Sequence, residues 1–247
     1  MIEIKSEREI AFIEEAGRVV KAVFREIKKA VAPGVTTGEL DKKAAETIRG
    51  LDARSAFKGY KGFPGNICTS INEQVVHGIP GNTKLRSGDI LSVDVGVEKN
   101  GFYADAAITI ELKNSVRENA KDLIMVTKDA LRLGIEKAIE GNRLFDVSYA
   151  IQQYVENSGY SIVRDFVGHG IGRKMHEEPE IPNFGKPDTG PRLRRGMVLA
   201  IEPMVNEGTH EVEIVGDGWT ALTRDRKLSA HFEHTVCVTD KEARILT

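Results

Sequence analysis

Two stretches of this chain, 108 residues apart, repeat one pattern: Arg86-Ser87-Gly88-Asp89-Ile90-Leu91-Ser92-Val93-Asp94 and Arg194-Arg195-Gly196-Met197-Val198-Leu199-Ala200-Ile201-Glu202. Each ends in a carboxylate. His77-Gly78-Ile79-Pro80 ahead of the first echoes His169-Gly170-Ile171-Gly172 ahead of the second, and Ala104-Asp105-Ala106 beyond it echoes Phe232-Glu233-His234. The 108-residue offset also relates Ala22, Ile27, Lys29 and Ala30 to Ala130, Ile135, Lys137 and Ala138. A repeat on this scale calls for two similar halves, about 7–112 and 115–247, within one domain spanning 1–247. Halves placed face to face would gather His77, His169, Asp94, Glu202, Asp105 and Glu233 into one cavity.

Each half reads as two helices followed by strands. Ile10, Ile13, Ala16, Val19, Val20, Val23, Ile27, Ala30 and Val31 recur at helical spacing until Pro33-Gly34. Thr36-Thr37-Gly38-Glu39 is a capping box opening a helix that runs to about Gly50. Ser115-Val116-Arg117-Glu118 is another, followed by Leu123, Ile124, Leu131, Ile135, Ala138 and Ile139, then a further helix to about Gly159. Leu91, Val93, Val95 and Val97 alternate with smaller or polar residues, and Asn100-Gly101 supplies a type I′ hairpin turn. A two-residue loop pairs Lys99 with Phe102 and Asp94 with Ala107, so Asp105 shares a face with Asp94, their Cα atoms ~7 to 8 Å apart. About 20 extra residues separate Glu202 from Glu233 and predict an additional hairpin around Gly216-Asp217-Gly218-Trp219. Residues 176–191 hold four of the eight prolines and are predicted to form a loop.

Composition narrows the partners. The 35 basic and 37 acidic residues are well mixed, so no basic stripe argues for nucleic acid or an anionic membrane. Cys68 and Cys237 lack CxxC spacing, which suits a reducing compartment and opposes a thiolate zinc site. No uncharged stretch approaches the roughly 20 residues of a membrane span. The expected location is the cytoplasm.

A single Asp on a strand is usually an edge or surface carboxylate, but three matched acidic or histidine pairs in one repeat are not readily explained that way. Four inward-facing carboxylates raise one another's pKa values, and burial adds to the effect, unless bound cations compensate them. Oxygen and nitrogen donors without thiolate suit Mn, Fe, Co or Zn, and carboxylates bridge two ions about 3.5 to 4 Å apart. The expected centre is therefore two divalent ions held by Asp94, Asp105, His169, Glu202 and Glu233. His210, His231 and His234 are read as structural.

Together Val76-His77-Gly78-Ile79-Pro80, Val93-Asp94-Val95-Gly96, Ala104-Asp105-Ala106, Gly168-His169-Gly170-Ile171-Gly172, Met175-His176-Glu177-Glu178-Pro179, Ala200-Ile201-Glu202-Pro203-Met204 and Glu233-His234-Thr235-Val236 closely resemble type I methionine aminopeptidases of the bacterial type. The resemblance covers nearly the whole chain. It implies an α+β pita-bread fold, a pseudo-twofold antiparallel sheet backed by helices, and release of the initiator methionine from nascent polypeptides. It implies that Asp105 and Glu233 bridge the two metals, that Glu202 doubles as proton shuttle, that His77 contacts the scissile amide and that His176 stabilises the oxyanion. The family's methionine pocket maps onto Tyr60, Phe63, Cys68, Met175 and Trp219. Phe57, Phe63 and Met175 depart from the residues common in bacterial members. A monomer able to associate with the ribosome is a further expectation. The competing reading is a related Xaa-Pro aminopeptidase or prolidase with the same ligand set. Those enzymes usually carry a large amino-terminal domain, for which the early start of the first helix is expected to leave no room.

Overall fold

The structure, a computed structural model, describes residues 2–112 and 118–247. Helix α1 (Glu7–Ala30) starts at Ser6, whose side chain accepts from Glu9 N while the Glu9 carboxylate accepts from Ser6 N. Thr36 and Glu39 close the same box at the start of α2 (Thr37–Gly50). These reciprocal bonds satisfy amides that the first turn leaves free. The apolar stripe of α1 buries Ile13, Val20 and Ile27 completely, each contributing about 1.5–3 kcal/mol by transfer from water. The second half carries α3 (Glu118–Lys137) and α4 (Leu144–Asn157). The capping box expected at Ser115 to Glu118 falls on residues 113–118, outside the described residues apart from the helix start itself.

Five strands belong to the first half: β1 (Arg54–Ser55), β2 (Cys68–Ile71), β3 (Gln74–Val76), β4 (Ile90–Lys99) and β5 (Phe102–Glu111). The second half begins with β6 (Ser161–Ile162), β7 (Gly168–Gly170), β8 (Glu177–Ile181), β9 (Val198–Ile201) and β10 (Met204–Asn206). It ends with β11 (Val212–Ile214), β12 (Ala221–Thr223), β13 (Ser229–His231), β14 (His234–Cys237) and β15 (Arg244–Ile245). All the described ladders are antiparallel. β4 pairs with β5 on one edge and with β2 and β1 on the other. The second half builds the order β15-β14-β9-β7-β8, with β13-β10-β6 beside it. α1 packs on β4 and β5, and α3 on α4 and β13.

The β4–β5 hairpin has the register expected from the sequence, Lys99 opposite Phe102 and Asp94 opposite Ala107. Asn100 and Gly101 adopt φ of 54° and 78°, as a type I′ turn demands. The predicted extra hairpin is β11–β12, and β12 also pairs with β3, so it ties the second half back to the first.

Two expectations need correction. Residues 177–181 are not loop: they form β8, with Pro179 inside it. β8 is the outer strand of its sheet, and a proline that cannot donate to a ladder is tolerated at such an edge. The sheet also reassigns two of the echoes. Ala200 in β9 is the 108-residue mate of Ser92; it faces His169, whereas Ser92 faces Ser70. The counterpart of His169 is thus Ser70. His77 lies beyond β3 in a left-handed conformation, φ 60°. Likewise Met204 faces His231 where its mate Gly96 faces Asp105, so His231 is the counterpart of Asp105. Glu233 is the counterpart of Ala107.

That register exposes the seam between the halves. Thr235 Oγ1 accepts from Asp105 N (2.9 Å) and donates to Asp105 O (2.8 Å), and Thr109 Oγ1 accepts from His231 N (2.9 Å) and donates to His231 O (2.8 Å). Between them Glu233 N donates to Ala107 O at 2.9 Å and Ala107 N to Glu233 O at 3.4 Å. A pseudo-twofold axis therefore passes between Ala107 and Glu233, and β5 joins the segment 231–235 across it.

Candidate metal centre

The seam places carboxylates from both halves together. Asp94 and Asp105 share one face of the β4–β5 ladder, because side chains two apart on a strand point the same way. Glu202 follows β9 and Glu233 precedes β14, one step beyond the Ile201 to His234 pair. His169 on β7 lies opposite Ala200 and shares its face with Glu202. One oxygen each of Asp105 and Glu233 and one ring nitrogen of His169 lie within 4.8 Å of one another. His169 Nε2 is 3.6 Å from Glu202 Oε1.

Asp105, His169 and Glu233 are 4%, 6% and 2% exposed, so water hardly solvates them. Asp94 Oδ1, Asp105 Oδ1 and Glu233 Oε1 are buried without a hydrogen-bond partner among the described residues. Desolvation foremost holds the Asp94, Glu202 and Glu233 carboxyls well above the ordinary range, and the neighbouring carboxylates add to it. Asp105 is pushed up to about 7 by the same burial. Buried oxygens left unpaired cost free energy that nearby cations would offset. His169 is ready to ligate: a carbonyl only accepts, so Nδ1–H donates to Gly170 O (2.9 Å) and Nε2 keeps its lone pair. Burial lowers the pKa of this imidazole to about 3. The donor set fits divalent cations of the borderline or hard kind. Cys68 stays a thiol, its pKa raised foremost by burial and then by Asp94.

All five candidate ligands line one cavity of about 170 Å³ together with His77, His176, Tyr60, Phe63, Cys68, Met175 and Trp219. The space admits a group the size of one side chain. Trp219, delivered by the β11–β12 hairpin, packs edge-on against Phe63 at 5.1 Å and lies 6.4 Å from His77. His77 also meets Phe166 edge-on at 5.4 Å, and burial lowers its pKa to about 4. The ring of Phe57, another wall residue, occupies the space above Gly96, where an added Cβ would lie 2.5 Å from it. A larger groove of about 940 Å³ lies between α1 and α3, floored in part by Phe232 and His234, and holds none of the candidate site residues.

One neighbour that the sequence reads as structural stands beside the cluster. His231 is 2% exposed, with Nε2 lacking a hydrogen-bond partner among the described residues and lying 3.7 Å from Glu202 Oε2. Only its register match with Asp105 signals this position, and register depends on pairings made across the whole chain.

Buried carboxylates and a neutral imidazole meeting across a pseudo-twofold axis, beside a small aromatic-walled cavity, define the class as a metal-dependent hydrolase. A model of metallopeptidase family M24 matches residues 11–240, and the chain belongs to that family. It is 52% identical to a methionine aminopeptidase of Clostridium perfringens, over 100% of this chain and 99% of that protein. It is 48% identical to methionine aminopeptidase 1 of Bacillus subtilis over the same shares of both. Among solved structures, a methionine aminopeptidase from Thermotoga maritima superposes with a TM-score of 0.98 at 46% identity, covering 100% of this chain and 99% of that one. An X-Pro aminopeptidase from the same organism superposes at 0.79 with 20% identity, covering 99% of this chain and 61% of that one, which is a likeness of fold. The pita-bread architecture expected from the sequence is the one observed.

Proposed function

We infer that this chain is a methionine aminopeptidase, a metal-dependent hydrolase that removes the initiator methionine from the amino terminus of newly made proteins. The observation that carries this is high identity to methionine aminopeptidases over the full length of both chains. In this reading Asp94, Asp105, His169, Glu202 and Glu233 would hold two divalent ions of the Co, Mn, Fe or Zn type. When bound, such ions polarise the scissile carbonyl and lower the pKa of water toward neutrality. Glu202, its basicity raised by burial, takes a proton from the attacking water and returns it to the departing amine. His77 holds the scissile amide, and His176 donates to the oxygen on which negative charge develops. Both imidazoles are kept neutral, foremost by burial, so each retains one proton to donate.

The methionine side chain enters between Phe63, Met175 and Trp219, with Cys68 and Tyr60 completing the wall; a thioether packs well against aromatic edges and sulfur. Residues 1–247 act as one catalytic domain, since the ligands come from both halves. Both cysteines are unpaired, which agrees with a cytoplasmic location, and the family resemblance extends the reading to a monomer that meets its substrate near the ribosome. No helix of the described residues is long and apolar enough to cross a membrane. The test is a peptide panel with protein loaded with each metal: Met-Ala-Ser is expected to be cleaved and Ala-Pro spared. Preferential cleavage of the Xaa-Pro substrate would move the assignment to the X-Pro branch of the same fold.

A further inference from the structure

Tyr60 does more than line the cavity. Its hydroxyl lies 2.8 Å from His176 Nδ1, and the two rings stack with centroids 5.3 Å apart at 27°. The His176 ring in turn lies 4.3 Å from that of His169. A phenol is a good donor and a weak acceptor, whereas a neutral imidazole nitrogen accepts well. With the Tyr60 hydroxyl as donor, Nδ1 accepts and the ring's one proton sits on Nε2.

The backbone holds Tyr60 in place at some cost. Lys61 is left-handed, φ 47° and ψ 23°, between Gly59 at 84° and Gly62 at 91°. A lysine in that region is disfavoured and persists only where its surroundings fix it. Here Tyr60 N donates to Phe57 O at 2.9 Å and Phe63 N to Tyr60 O at 2.9 Å. Lys61 also sets its ammonium 5.5 Å over the Tyr60 ring.

We propose that Tyr60 is a positioning residue that fixes the tautomer of His176, so that Nε2–H is available to the oxyanion before substrate arrives. This rests on the role assigned to His176 above. A tyrosine that served only as pocket wall would act through its ring, and its hydroxyl would be dispensable.

Zinc-loaded, diamagnetic protein labelled with 15N-histidine separates the two. Two-bond 1H–15N correlations, with His176 assigned by the loss of its signals in His176→Asn, are expected to show a protonated Nε2 and a bare Nδ1. Tyr60→Phe keeps the ring and is expected to give mixed tautomers, with kcat on Met-Ala-Ser lowered about tenfold and KM within about twofold of wild type. Protonated Nδ1 in the wild type, unchanged kcat in Tyr60→Phe, or an effect confined to KM would each overturn the proposal. Failure of the wild type to cleave Met-Ala-Ser would instead remove the functional reading, while the spectra would still decide the tautomer.

Discussion

Asp105→Asn should make the metal-free protein more stable while removing its activity. In the fold the Asp105 carboxyl is pushed up to about 7 from an ordinary 3.8 by burial. A folded pKa raised above the unfolded one contributes stability that is fully present below about 3.8 and is lost as pH rises through about 7. The displacement of about three pH units corresponds to ~4 kcal/mol lost by neutral pH. Asparagine carries no charge to desolvate and avoids that loss. For a chain of this size ~4 kcal/mol is roughly 8–16 °C in Tm. Thermal melts of chelator-treated wild type and Asp105→Asn at pH 4.5, 6 and 7.5 should therefore diverge with rising pH, the variant melting higher at pH 7.5. Added Mn should raise the Tm of the wild type and leave the variant nearly unmoved, with its peptidase activity gone. Equal Tm at pH 7.5, or a variant with near wild-type turnover, would refute the claim that Asp105 is a strained buried ligand.

Three further outcomes follow from particular contacts. Trp219→Ala removes the edge-on partner of Phe63 and should lower kcat/KM on Met-Ala-Ser about tenfold or more, mainly through KM in steady-state assays; unchanged KM would take Trp219 out of the pocket. Gly96→Ala drives a Cβ to 2.5 Å from the Phe57 ring and should cost about 1–3 kcal/mol in urea unfolding, a loss that Phe57→Ala in the same chain should largely relieve. Thr235→Val and Thr109→Val each break two buried seam hydrogen bonds and should each cost about 2–4 kcal/mol. Calorimetric titration with Mn should find weaker binding only in Thr235→Val, which frees Asp105; equal losses in both would count against that assignment.

Local chemistry was the legible part of this fold. The Asn100-Gly101 turn sets the register of the whole β4–β5 hairpin, which is why the shared face of Asp94 and Asp105 could be counted from sequence. Ser6 with Glu9 and Thr36 with Glu39 close their own boxes within one turn. The repeat led to both halves of the site for a similar reason: each half carries its own strands. What escaped depends on pairing between distant segments. The His77 and His169 echo failed as an equivalence because similar short motifs precede different strands, and the ladder aligns His169 with Ser70. His231 escaped because its place opposite Met204 exists only once β13 has docked on β10. Pro179 misled because proline density reports a lost donor, and an edge strand has no second partner to miss it.

Whether the five side chains at the seam hold metal decides the chemistry of this chain. Anomalous scattering from crystals grown with manganese, recorded on either side of its absorption edge, locates such ions directly. Two peaks among Asp94, Asp105, His169, Glu202 and Glu233, with Asp105 and Glu233 touching both, are the expected result. Manganese bound elsewhere on the chain with this cluster empty would contradict it.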